Sequence, residues 1–291
     1  LGNNALNSLI QSELKELSMS FHIYSSKTGK LSYILYVSFS ITALVFLSVP
    51  LIAVLPLSFS SDSFLSYPIT GYSLQWYEEV LTSPVWMNAL KNSIFVGVVS
   101  TIFATILGTL AALGINTSNF KGKAAVTGLM VSPMAVPMII AALGLYFFFA
   151  KIGLGSTYTA LIVAHTLLGT PFVLITVNAT LQGFDFNLIR AAANLGASPL
   201  VVLIKVVLPL ILPGVVSGAL FAFATSFDEV VVAVFVAGPE QRTLPMQMFE
   251  GLRENITPAI IAVAMLLTLF SLALLLTLEF LRRRCEKMIS E

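Results

Sequence analysis

The sequence predicts an all-α, polytopic membrane protein with six transmembrane helices, on three observations. Hydrophobic residues make up 57% of the 291-residue chain and charged residues only 10%, which leaves too little polar surface to coat a water-soluble globule of this length. Six apolar runs are each long enough to cross a hydrocarbon core of about 30 Å, which takes roughly 20 helical residues. The basic residues sit in short clusters between those runs instead of along one face, so they report topology and no nucleic-acid partner is expected. Lipid is expected to cover much of the surface. The single cysteine, Cys285, excludes an intramolecular disulfide and a multi-cysteine metal framework, and no metal site is expected.

The spans follow in order at residues 31–59, 88–115, 124–149, 158–180, 206–236 and 258–281. The first follows a polar segment, residues 1–30. It is too long for the core of a signal peptide and lacks a clear cleavage site, so it is expected to stay in the membrane. Between the first two spans, Tyr72, Trp76, Tyr77 and Trp86 are aromatics of the kind that settle at the headgroup level, and they predict a short interfacial helix. The second span carries Ser100, Ala104, Gly108 and Ala112 at four-residue intervals, a stripe that lets another backbone approach closely. Pro133 and Pro137 in the third span and Pro171 in the fourth each remove a backbone donor and are expected to kink or break a helix. His165, with Thr166 and Thr170, is expected to make an interhelical hydrogen bond in preference to relaying protons. The segment at 238–258 is too polar for lipid contact and belongs at a membrane mouth.

Orientation follows from Lys and Arg, which short cytoplasmic loops retain. Placing both termini inside assigns Lys15, Lys27, Lys30, Lys121, Lys123, Arg190, Lys205, Arg282, Arg283, Arg284 and Lys287 to the cytoplasm. Only Lys91, Lys151, Arg242 and Arg253 fall outside. The expected layout is therefore a cytoplasmic N-terminal segment at 1–30, a membrane domain at 31–284 with a cytoplasmic loop at about 181–209, and a cytoplasmic tail at 285–291.

Asp228 and Glu229 interrupt the fifth run, where a carboxylate at mid-helix costs about 2.5–3.5 kcal/mol on insertion scales. On a helix, neighbours point about 100° apart, so only one of the two can face a central path. Thr225 would share their side. One reading makes the pair a cation-selective element, with Phe221, Phe227 or Phe235 adding cation–π attraction to a desolvated ammonium. The other makes it a structural pair that binds a partner subunit or caps a break in the helix.

The cytoplasmic loop reads Arg190, Ala191, Ala192, then after two residues Leu195, Gly196, Ala197, and it ends Val206, Val207, Leu208, Pro209. This resembles the EAA loop of binding-protein-dependent ABC importer permeases, whose pattern is Glu-Ala-Ala, three residues, Gly, nine residues, Ile, one residue, Leu-Pro. Arg190 stands where that family has Glu, and Val206 where it has Ile. Residues 223–248, reading FATSFDEVVVAVFVAGPEQRTLPMQM, are similar to the spermidine and putrescine branch of the same family. The resemblance implies the ABC importer permease fold in a bacterial inner membrane, with Arg190, Ala191, Ala192, Leu195, Gly196 and Ala197 docking an ATPase. It further implies a homologous permease subunit, a cytoplasmic ATPase dimer carrying ATP and Mg, and an extracytoplasmic solute-binding protein as partners.

The residues themselves fit a non-enzymatic subunit without a cofactor of its own. Gly122-Lys123 is followed by Ala and does not complete a phosphate loop, and no nucleophile–base pair or metal constellation stands at usable spacing. Polyamines or related amino-containing cations are the expected solutes, with opines, 4-aminobutyrate and aminophosphonates as alternatives. A proton-coupled secondary transporter or channel that titrates Asp228, Glu229 and His165 is the competing reading; it calls for internal repeats, and none is evident between the halves.

Overall fold

A computed structural model describes residues 27–254 and 256–290. Residues 1–26, which hold Lys15 and most of the expected N-terminal segment, lie outside the described residues, as does Glu291 of the tail. The chain divides into two compact units, residues 1–57 and 58–291. Within the described residues, the first holds helix α1 (Lys27–Val54). It is apolar on all sides, and Leu35, Phe39 and Phe46 are exposed along it, as expected of a helix whose solvent is lipid.

The second unit opens with a loop organised by Asp62, whose carboxylate accepts from Thr70 Oγ1 at 2.5 Å and from Ser66 Oγ at 3.4 Å. These hydroxyls, Thr70 foremost, hold the Asp62 carboxyl below its ordinary 3.8. Their stabilisation is present above that ordinary value and is lost as pH falls through the lowered one. The loop receives α2 (Gln75–Thr82), a short helix where one was expected, in which Trp76 Nε1 donates to the Ser60 carbonyl at 2.7 Å and Tyr77 Oη to Ser58 Oγ at 2.8 Å.

The core is three crossing helices, α3 (Pro84–Thr117), α6 (Tyr158–Leu181) and α9 (Leu208–Asp228). Small residues set their closeness. Ser100, Ala104, Gly108 and Ala112 are all buried on α3, and a Cβ at Gly108 would stand 2.7 Å from Val173 Cβ on α6. Gly218 on α9 meets α6 backbone in the same way, 2.7 Å from Val173 Cα. The stripe is therefore a packing surface, the membrane solution where burying apolar groups gives little drive and close contact supplies it.

Between α3 and α6 lie α4 (Lys123–Val131) and α5 (Met138–Lys151). The third run, expected as one span, is bent by 98° between them. Pro133 and Pro137 flank the bend and cannot donate to the helical ladder. Pro171, by contrast, stays inside a continuous α6. Among the described residues, five helices are long and apolar enough to cross a bilayer, and the bent pair makes a sixth if it is one span.

After α6 come α7 (Asn187–Asn194) and α8 (Pro199–Val202), and a π-helical turn, Leu203–Val207, joins α8 to α9. The fifth span is thus Pro199–Asp228. It begins earlier than the expected 206 because α8 continues into it, and it ends before 236 because the helix stops at Asp228. Short α10 (Val231–Val236), amphipathic α11 (Leu244–Glu254) and long α12 (Pro258–Ser290) complete the chain. Helix α12 runs on through residues 282–290, where a tail was expected from 285.

Candidate functional site

Two regions carry the sequence-predicted site residues, one at each end of the Pro199–Asp228 helix. At its start, α7 ends in a glycine cap. Gly196 has φ +82°, its N–H donates to the Ala193 carbonyl at 2.9 Å, and Ala197 N–H donates to the Ala192 carbonyl at 3.1 Å. That pair of bonds is the Schellman arrangement, which needs a left-handed residue at the turn and so selects glycine. Ser198 then precedes Pro199 at the first position of α8, the place where a missing N–H costs least. Ala192, Ala197 and Val202 face the core, together with Val206 and Val207, while Arg190, Ala191 and Gly196 are exposed and Leu195 is 89% exposed. The result is a small rooted knob with a free leucine at its tip.

The π turn connects this knob to the bundle. Leu208 N–H reaches back to the Leu203 carbonyl, five residues away, and the wider ring makes room for Pro209, which has no N–H to give. At 30 residues the combined helix is about 45 Å long, a continuous rod from the knob to Asp228.

At the far end, the helix breaks between two acids expected to share one span. Glu229 is extended, at φ −74° and ψ 117°, and its Oε1 accepts from Val232 N–H at 2.9 Å. The buried carboxylate thereby satisfies an orphan donor in the first turn of α10. Neither acid stands in the interior of a helix, which corrects the expectation of a continuous fifth span. Asp228 is exposed and lines a cleft of about 240 Å³ between α9 and α12, with Phe221, Ala224, Phe227, Leu267 and Ser271. Phe221 stacks on Phe172 at 6.5 Å, and Phe227 is held by Phe270 at 4.9 Å. Thr225 and Phe235 stand outside this cleft; Phe235 packs against the core formed with α5 and α6.

One turn inside the break, three helices meet through hydrogen bonds. His165 Nδ1 and Ser226 Oγ are 2.7 Å apart, and Ser226 Oγ and Ser100 Oγ 3.0 Å. Thr166 Oγ1 donates to the Ser100 carbonyl at 3.4 Å, so His165 and Thr166 both bond across helices as expected. Thr170 instead bonds within its own helix, to the Thr166 carbonyl. Sequence reasoning missed Ser100 and Ser226 as partners and Ser271 as a cleft residue; each is a hydroxyl in an apolar run, a signal present but shared by many serines that merely bond to their own helix.

A third feature lies at the opposite end of α3 from its Thr117 terminus. Asn92 Nδ2 donates to the carbonyls of Glu240 and Arg242, each at 2.9 Å, and Tyr158 Oη stands 2.8 Å from Asn92 Oδ1. Leu244 N–H donates to Ser93 Oγ at 2.7 Å. The polar segment at 238–258 is therefore fastened to the starts of α3 and α6 and folds into α11.

The helical bundle thus carries an exposed knob joined by one rod to a carboxylate-lined cleft. The chain matches the family described as "Binding-protein-dependent transport system inner membrane component" over residues 104–289, a range that contains both knob and cleft. It is 34% identical over 248 residues to the "Spermidine/putrescine transport system permease protein PotC" of Haemophilus influenzae, covering 85% of this chain and 96% of that one. It is 32% identical over 229 residues to the "Putrescine transport system permease protein PotI" of Escherichia coli K12, covering 76% and 81%. Its fold matches a chain in the crystal structure of a bacterial ABC transporter that imports the acidic polysaccharide alginate, with TM-score 0.71, 15% identity, and 87% and 97% coverage. The chain belongs to the family of binding-protein-dependent transport system inner membrane components, and it is a multi-pass inner-membrane transport subunit.

Proposed function

We propose that this chain is a permease subunit of an ATP-driven importer for a polyamine or a related amino-containing cation. The observation that carries the reading is the single rod that ends at the exposed knob on one side and at Asp228 on the other. A separate ATPase dimer, holding ATP and Mg, docks on the knob formed by Arg190, Ala191, Ala192, Leu195, Gly196 and Ala197. Both termini lie in the cytoplasm with it. A homologous permease covers the α9–α12 cleft, where the exposed Asp228 carboxylate stands among Phe221, Phe227 and Leu267 and is better satisfied by protein and water than by lipid. An extracytoplasmic binding protein delivers the solute. The polyamine assignment is supported by the similarity to the two polyamine permeases and by the cleft's chemistry: a carboxylate beside Phe221 offers an ammonium both charge and an aromatic face.

ATP-driven closure of the ATPases moves the knob, and the rod carries that motion to the cleft, so that access alternates between the two sides of the membrane. Asp228 replaces part of the water lost by the cation. Glu229 holds the break that turns Asp228 toward the cleft.

The two acids therefore separate by experiment. Asp228→Asn is expected to lower cation uptake by about tenfold or more, in line with the loss of a charged hydrogen-bonding partner, with normal yield of the assembled complex. Glu229→Gln, which still accepts from Val232, is expected to reduce uptake by less. Asp228→Asn transporting at the wild-type rate would sink the path assignment. Arg190→Glu tests the docking face: a loss of ATPase co-purification identifies an acidic groove on the ATPase, whereas equal or better recovery identifies a groove of the family's usual kind.

A further inference from the structure

An apolar groove between α2, α3 and α12 has no role in the reading above. It is about 250 Å³ in volume, with Leu81, Trp86, Leu90, Ile94, Leu266 and Phe270 among its walls, and every lining residue is apolar or aromatic. Leu81, Ile94 and Phe270 are exposed at its lips, while Leu244 and Val263 are buried at its floor. On α3 the groove runs from Trp86, in the first turn after Pro84, to Ile94, a drop of about 12 Å. On α12 it runs from Val263 to Phe270, about 8 to 18 Å below the start of that helix at Pro258. Both stretches match the acyl depth of one leaflet, half of a hydrocarbon core about 30 Å thick. A water-soluble ligand finds no partner there, whereas a methylene chain enclosed on three sides gains more van der Waals contact than in bulk lipid.

The headgroup end of the groove is polar. Val80 of α2 shares a core cluster with Ala89 near the start of α3 and Ala259 at the start of α12, which sets α2 at the level where both helices begin. Glu78 and Glu79 are exposed on it, and among the described residues no ion pair engages either. Trp76 spends its N–H on the Ser60 carbonyl; Trp86 has no such acceptor among the described residues. An indole at this level with its N–H open suits the ester and phosphate oxygens of a lipid. Two unpaired carboxylates beside it suit an ammonium headgroup.

We propose that this groove is a binding site for one phospholipid with an ammonium headgroup. One acyl chain lies along Leu90, Ile94 and Leu266, Trp86 donates to an ester or phosphate oxygen, and Glu78 and Glu79 attract the ammonium. The inner wall is Phe227, which also lines the Asp228 cleft, so the bound chain backs the aromatic side of that cleft.

The test uses the full complex in nanodiscs containing phosphatidylethanolamine with a photoreactive group on one acyl chain, and maps the cross-linked residues by mass spectrometry. Label is expected to concentrate on residues 86–94 and 263–270, several-fold above that on Leu35, Phe39 and Phe46, which are exposed along α1 and report bulk lipid. Leu266→Trp fills the groove and is expected to bring its label down to the α1 level. If that variant lowers the yield of the complex, Ile94→Trp at the exposed lip carries the same expectation and decides. The protein with both Glu78→Gln and Glu79→Gln is expected to lose its preference for this probe over the matching phosphatidylglycerol. Label in the wild-type groove no higher than on α1, the outcome if a helix of the permease partner fills it, would overturn the site, as would label unchanged by both Trp variants. Equal or stronger labelling of the wild type by the phosphatidylglycerol probe would overturn the headgroup assignment.

Discussion

Gly196→Trp is expected to abolish ATP-driven uptake while the protein still inserts and folds. The position has φ +82°, and an L-residue in that left-handed region costs about 1–2 kcal/mol. A Cβ there would meet nothing within 4 Å, so the substitution does not disturb the bundle. What changes is the outside of the knob: an indole beside exposed Leu195 blocks the close approach of the ATPase, and the strained cap loosens the bonds to Ala192 and Ala193. Uptake and ATPase co-purification should fall together, with membrane yield preserved. Gly196→Ala isolates the strain from the bulk and should retain more of both. Normal transport and normal ATPase recruitment in Gly196→Trp would sink the docking assignment.

The second large effect lies inside the bundle. Gly218→Ile should prevent a folded complex from accumulating, because its Cβ would press on Val173 Cα and on the Thr176 hydroxyl. A backbone atom cannot rotate away, so α6 and α9 must separate. Overpacking of this kind costs about 1–3 kcal/mol and sometimes more. The separation would also pull His165 from Ser226, leaving buried polar groups unpaired. Size-exclusion yield of the monodisperse complex measures it, with Gly144→Ala as the control at a helical site where a Cβ meets nothing within 4 Å. Equal yields from the two variants would show that the contact between α6 and α9 is not what holds the bundle.

The features legible in the sequence were those written locally. Apolar runs marked the membrane helices because length alone decides whether a helix can cross. Spacing from Ala192 through Gly196 to Pro209 marked the knob because the glycine cap and the two helix starts are each a few residues long. The four small residues on α3 showed their packing role through helical period alone. The break after Asp228 was hidden for the opposite reason: residues 227–236 read as one apolar run around two acids, and hydropathy does not reveal that Glu229 bonds forward to Val232 instead of continuing a helix. The 98° bend in the third run was foreshadowed by Pro133 and Pro137, but Pro171 gives the same local signal and leaves α6 intact. Ser100, Ser226 and His165, like Asn92 and Tyr158, are far apart in the chain and meet only once the helices are packed.

The most direct measurement is uptake of labelled spermidine into proteoliposomes that hold this chain with its permease partner and ATPase, with the soluble binding protein outside. Accumulation is expected only with ATP on the ATPase side and with the binding protein present. It should be competed by putrescine, persist without a proton gradient, and disappear in Gly196→Trp. Accumulation driven by a proton gradient in the absence of ATP, with Gly196→Trp as active as wild type, would contradict an ATP-driven permease coupled through the knob.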